Sequence, residues 1–169
     1  MPSADADRRR LRQRRLLIAG IVVAVVGLDQ ATKAWATSGL RDGPVSIIGS
    51  TVEFQLARNT GSAFSLFQTV TPLLAVLAVG LVAILVRTLN RAEDLTVLVA
   101  LALVLGGALG NVSDRLFRAP GFLHGAVVDF IKVGSWPTFN VADSAITIGA
   151  VLLVAWSLLS SRSGVAPDR

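Results

Sequence analysis

At 169 residues the chain is long enough for one domain, but 53% of it is hydrophobic and its mean hydropathy is clearly positive, more apolar than a water-soluble core requires. The formal net charge of +5 invites a nucleic-acid reading, yet six of the sixteen basic residues form one run, Arg8, Arg9, Arg10, Arg12, Arg14 and Arg15, directly ahead of an apolar stretch and without stacking aromatics; no nucleic-acid partner is expected. Cysteine is absent, which excludes disulfides, Cys-ligated metals and a thiol nucleophile.

In chain order, residues 1–15 read as a basic tail, 16–160 as a membrane domain and 161–169 as a second tail. Four stretches approach the roughly 20 apolar residues that a bilayer span needs, and they predict helices over about 16–36, 70–89, 95–113 and 141–159. The basic start and Leu16 to Val26 resemble a signal peptide, but the apolar character runs on to Trp35 with no small-residue cleavage site, so a retained helix is expected. Thr71-Pro72 suits the start of the second helix. Gly106, Gly107 and Gly110 in the third would allow close helix approach.

Counting Lys and Arg on either side of the spans gives ten on the side of the N-terminus and six on the other, so the positive-inside rule puts both termini in the cytoplasm. The outer segments are then Thr37 to Thr69 and Asn111 to Asn140. The alternation in Thr51 to Leu56, after Gly-Pro and Gly-Ser breaks, reads as short strands on the outer surface. Val127 to Ile131 is β-type as well, although its length also fits a re-entrant piece.

Asp29, Asp114, Asp129 and Asp143 lie in or beside the apolar segments, all toward the outer face, where ionisable groups are costly and point to function. Asp29 and Lys33 fall four apart and are expected to form a structural ion pair. Asp114 beside Arg115 reads equally as a neutralised carboxylate and as a substrate-positioning group. Asp129 and Asp143 have no obvious local cation at helical spacing, although Lys132 is close in sequence to Asp129. Asp143, three residues after the N-cap candidate Asn140, is explained by helix capping when taken alone. A second carboxylate between Val128 and Phe130 on the same side changes that balance, because burial raises its pKa and two close carboxyls can share a proton as acid and base.

Other hydrolytic designs are limited by count, zinc and triad designs by the histidines, whereas a Ser/Lys dyad of Lys132 with Ser135 or a distant serine stays open. His124 is the only histidine, so a His-Glu-x-x-His zinc site cannot be built and a Ser/His/Asp triad would depend on that one residue. A Ser/Lys dyad would have to use Lys33 or Lys132. A proton-coupled carrier would spread its acidic residues through the membrane, whereas the inner halves of the helices lack them. A structural subunit whose Asn and Asp residues tie helices together is the remaining alternative.

The motifs Asp29-Gln30-Ala31-Thr32-Lys33, Asn59-Thr60-Gly61-Ser62-Ala63-Phe64, Gly110-Asn111-Val112-Ser113-Asp114-Arg115, Val127-Val128-Asp129-Phe130 and Phe139-Asn140-Val141-Ala142-Asp143-Ser144, in this order, closely resemble the bacterial lipoprotein signal peptidases, or signal peptidase II. The resemblance implies an all-α membrane protein of four transmembrane helices with a small extramembrane β-sheet and an outer-face loop near the active site. It implies a cofactor-free aspartic endopeptidase of the bacterial cytoplasmic membrane, expected as a monomer, that removes the signal peptide of a prolipoprotein before a diacylglyceryl-modified cysteine. By matching position, Asp129 and Asp143 would be catalytic; Asn59, Gly61, Asn111, Arg115 and Asn140 would bind substrate or organise the site; and Asp29, Lys33 and Asp114 would support it. No metal is implied. The segment between Asp129 and Asn140 is short for the family, and the arginine-rich start is an extension.

Overall fold

A computed structural model describes residues 4–60 and 71–162. The elements are α1 (Ala4–Gly39), β1 (Val45–Ile48), β2 (Val52–Asn59), α2 (Thr71–Leu89), α3 (Leu95–Phe117), β3 (Val127–Val133) and α4 (Val141–Arg162). All four helices are long and apolar enough to cross a membrane, so this is a multi-pass membrane protein with a small antiparallel sheet.

Two helices overrun their expected ends. α1 starts at Ala4 and has 36 residues, about 54 Å at 1.5 Å per residue, so the basic stretch expected as a tail is helical. Arginine, leucine and glutamine are good helix formers, and extending a helix already nucleated in the bilayer adds one hydrogen bond per residue. Asp5 and Asp7 in its first turn complement the helix dipole, and Arg14 donates to the Glu93 carbonyl at 2.6 Å, tying the extension to the turn before α3. α3 in turn runs to Phe117, so Asp114 and Arg115 are helical rather than part of a loop. At its other end Asp94 is the N-cap, its carboxylate accepting from Thr96 N–H at 2.7 Å and Val97 N–H at 3.1 Å.

α3 is the centre of the bundle. Of its most apolar stretch 56% is buried, against 11% for α1 and 17% each for α2 and α4. α1, α2 and α4 all pack on it, and among the described residues α2 packs on no other element. Gly107 lies directly against the α4 backbone at Ala142, and Gly110 against the Asp29 carboxylate of α1, which is the close approach that small residues permit in membrane helices.

The sheet runs β1-β2-β3, and Val127 to Val133 is therefore a strand rather than a re-entrant piece. Glu53 stands opposite Lys132 across β2 and β3, a favourable cross-strand pairing. The sheet seats on the last turns of α1 through Ala36, Leu40 and Phe130, with Trp35 edge-on to Phe54 and Phe130 at centroid separations of 5.3 and 6.0 Å. Phe139 straps the chain back onto β3, its carbonyl accepting from Phe130 and Ile131 N–H and its own N–H donating to the Ile131 carbonyl. The residue after that strap is Asn140. The packing thus delivers the middle of β3 and the first turn of α4 to one place.

Candidate active site

Asp129 is the third residue of β3 and is 2% exposed. Its Oδ1 accepts from Asn140 Nδ2 at 2.6 Å and its Oδ2 from Asn59 Nδ2 at 3.1 Å. Burial is the main reason its carboxyl is pushed up to about 6, with the negative charge of Asp143 adding to it. The amides of Asn59 and Asn140 and the Lys33 ammonium pull the other way and are outweighed.

Asp143 is the third residue of α4 and forms a reciprocal cap with Asn140. Asn140 Oδ1 accepts the Asp143 N–H at 2.9 Å, and Asp143 Oδ2 accepts the Asn140 N–H at 3.2 Å. This capping box satisfies two backbone donors at the helix start. It leaves Asp143 Oδ1 to accept from Asn111 Nδ2 at 2.8 Å. Asn140 Nδ2 also lies 3.3 Å from Asn111 Oδ1, so the two carboxylates are joined through a chain of two asparagine amides. Capping therefore describes one face of Asp143 and the asparagine bridge the other.

Below this pair lies a fully buried ion cluster. Lys33 Nζ stands 2.8 Å from Asp29 Oδ2 and 2.9 Å from Asp114 Oδ2, with all three side chains at 0% exposure. Its third donor goes to Asn111 Oδ1 at 3.0 Å, which uses every ammonium proton and leaves Lys33 no role as a base. The pair expected between Asp29 and Lys33 is thus extended by a second carboxylate from α3.

Asp114 is neutralised differently from the sequence reading. Its cations are Lys33 and Arg118, whose Nε lies 2.6 Å from Asp114 Oδ1, not the neighbouring Arg115. Successive residues on a helix point about 100° apart, whereas residues four apart share a face, so once α3 extends to Phe117 the i+4 arginine is the one that pairs. Arg115 forms no salt bridge among the described residues. Its Nη1 donates to the Asn111 carbonyl at 3.4 Å, and its Nε is buried with no hydrogen-bond partner among the described residues.

The structure thus gathers Asp29, Lys33, Asn59, Asn111, Asp114, Arg115, Asp129, Asn140 and Asp143 at the end of the bundle that carries the sheet. Gly61 lies outside the described residues. His124 is exposed, with its Nδ1 2.8 Å from the Phe122 carbonyl. Two members of the cluster were not singled out from sequence. One is Arg118, which helical spacing from Asp114 would have revealed. The other is Gln30, whose amide donates to Asp29, to the Gly110 carbonyl and to Asp114 at 3.1–3.2 Å.

A family model described as signal peptidase (SPase) II matches residues 21–159. A lipoprotein signal peptidase of Rhodococcus jostii (strain RHA1) is 48% identical over 169 residues, covering 99% of this chain and 83% of that protein. One from Mycobacterium tuberculosis (strain ATCC 25618 / H37Rv) is 46% identical over 158 residues, covering 93% of this chain and 76% of its own length. A bacterial membrane enzyme solved by the in meso method at 2.3 Å resolution superposes with a TM-score of 0.71 at 29% identity, over 90% of this chain and 93% of that one.

Proposed function

The chain belongs to the signal peptidase II family, and from that premise we propose that it is an aspartic endopeptidase that cuts the signal peptide from diacylglyceryl-modified prolipoproteins, with Asp129 and Asp143 activating the attacking water. The observation that supports this reading best is the chain of amides running from Asp129 through Asn140 and Asn111 to Asp143. It joins the two carboxyls through neutral amides, and among the described residues neither forms a salt bridge.

In this reading one carboxylate removes a proton from water as the oxygen attacks the scissile carbonyl carbon. The other, protonated, gives its proton to the developing oxyanion, and the leaving amine is protonated as the tetrahedral intermediate collapses. Burial raises the pKa of Asp129, which favours a pair that keeps one proton. Arg115, with its unpartnered Nε, and Asn59, with its amide at the exposed rim, are placed to hold the peptide backbone, whose polar groups the bilayer cannot satisfy. The signal peptide is itself an apolar helix and the diacyl chains partition into lipid, so only the scissile bond has to reach the polar end of the bundle. We assign that end to the outer face of the cytoplasmic membrane, with both termini inside, from the ten-to-six bias of basic residues.

The test is cleavage of a diacylglyceryl-modified prolipoprotein by purified protein, with unacylated substrate alongside. Asp129→Asn and Asp143→Asn should each stay folded and lose about 100- to 10,000-fold in rate, the range for removing a general acid or base, while a chelator leaves wild-type cleavage unchanged. Cleavage near the wild-type rate by either folded variant would remove the dyad, and equal cleavage of unacylated substrate would remove the substrate assignment.

A further inference from the structure

The buried ion cluster beneath the dyad makes two contacts that charge neutralisation alone does not require. Asp29 Oδ1, on the side away from Lys33, accepts the backbone N–H of Ala142 at 3.0 Å. Asp114 Oδ2, which also meets Lys33, accepts the backbone N–H of Val128 at 3.1 Å. Ala142 is the residue immediately before Asp143, and Val128 the residue immediately before Asp129.

We propose that Asp29, Lys33 and Asp114 act together as a clamp that sets the separation of the two catalytic carboxyls by gripping the main chain one residue ahead of each. This rests on the dyad reading and deepens it: the three are positioning residues, since none touches the reacting atoms. The path from one aspartate to the other is short and made of named bonds. It runs from Ala142 N–H to Asp29, through the Lys33 ammonium at 2.8 and 2.9 Å, to Asp114 and Val128 N–H. The same ammonium holds Asn111 Oδ1, which orients the amide that donates to Asp143.

A purely stabilising role explains these contacts less well. Replacing buried ion networks by apolar side chains of similar volume is often neutral or stabilising, so stability alone does not call for an ammonium and two carboxylates at 0% exposure. α4 already has its own capping box from Asn140 and Asp143. What the cluster adds is a second, separate tie between β3 and α4, elements already joined by a turn, the Phe139 strap and the Asn140 amide. For two groups that must share a proton and a water molecule, an error of about 1 Å costs on the order of 100-fold in rate.

The carboxylate ends carry the test, because Lys33→Met would leave buried Asp29 without its cation and Asp114 with Arg118 alone, and is expected not to fold. Asp29→Ala leaves Lys33 paired with Asp114, and Asp114→Ala leaves it paired with Asp29, so neither strands a buried ammonium and either end reports if the other variant is lost. Asp114→Asn keeps a carboxamide oxygen to face Lys33 and Val128 N–H and gives up the negative charge together with the Arg118 and Gln30 contacts at Oδ1. The full-length protein is assayed on a diacylglyceryl-modified prolipoprotein peptide, with rates expressed per folded molecule from thermal unfolding of the same sample and with Asp129→Asn in parallel. The alanine variants should lose about 10- to 100-fold in kcat, as for other supporting groups around a reactive centre, with KM held within about threefold. Asp114→Asn should recover most of the loss seen in Asp114→Ala. Unchanged kcat in the folded alanine variants, or an Asn variant as impaired as the Ala variant, overturns the clamp while the inactivity of Asp129→Asn keeps the dyad standing. Cleavage by Asp129→Asn instead overturns the dyad and the clamp with it.

Discussion

The junction of α1, α3 and α4 and the lone helix α2 solve the membrane problem in opposite ways. At the junction, Asp29, Lys33 and Asp114 are fully enclosed, and Lys33 of α1 pairs with Asp29 on its own helix and with Asp114 of α3. α2 carries a single charge, Arg87 in its last turn. It meets α3 through Leu85 and Leu89, which join Leu98, Leu101 and Leu105 in a purely apolar cluster, and leaves Leu73, Val76, Leu77 and Ile84 more than half exposed. In a bilayer those side chains face lipid as apolar as themselves, so α2 gains little from choosing one packing over another. The difference teaches where geometric fidelity is stored. The site depends on α1, α3, α4 and β3 locking together, while α2 completes the bundle without a polar contact among the described residues.

Glycines provide the sharpest way to break that comparison. A methyl group added at Gly110 would lie 2.6 Å from Asp29 Oδ2 and 3.3 Å from the Ala142 Cβ, so it would push the carboxylate off Lys33 or push α4 away. Gly110→Ala should therefore destabilise by about 1–3 kcal/mol, as overpacking does, and Gly110→Val by more. Activity per folded molecule should fall as well, because the displaced group holds the turn that carries Asp143. Thermal unfolding and cleavage measured on one preparation check both, and a Gly110→Val protein with wild-type stability and rate would show that the junction is looser than these contacts imply.

A smaller effect comes from Asp129. Its folded-state pKa of about 6 lies above its ordinary value of 3.8, so the native state holds a proton that the unfolded chain has released. The resulting stability is fully present below about pH 4 and is lost as pH rises through about 6. Other carboxylates contribute in the same window, so the readout is a difference: the unfolding temperature of wild type relative to Asp129→Asn should fall between about pH 4 and 7 and then level off. Parallel curves for the two proteins would mean that Asp129 is not desolvated in the folded state.

Much of this contrast was legible before any coordinates, and the misses have physical causes. The four spans follow from apolar run length, and the Asp29–Lys33 pair from helical spacing, both of which are local signals. β3 was ambiguous because a short apolar run has the same composition in a strand and in a re-entrant segment; its pairing with β2 decides the matter and is non-local. The partner of Asp114 was misread because the end of α3 was set at Ser113 by falling hydropathy, whereas the backbone stays helical to Phe117. Hydropathy reports where a helix leaves the membrane, not where it stops. The asparagine bridge between Asp129 and Asp143 joins residues up to 32 positions apart, and only the shared motif pattern could suggest it.

The mildest change tests the other side of the comparison. Gly80, in the middle of α2, has nothing among the described residues within 4 Å of where a Cβ would stand, so Gly80→Ala adds a methyl group into lipid-facing space. In a helix interior that exchange is worth up to about 1 kcal/mol in favour of alanine, and in a membrane helix, whose backbone bonds are already enforced by the bilayer, the gain should be smaller still. Cleavage should be unchanged, since no polar contact links α2 to the site among the described residues. A marked loss of rate in a folded Gly80→Ala protein would mean that α2 closes against a neighbour during the reaction, and that the division between a locked junction and a passive helix holds only without substrate.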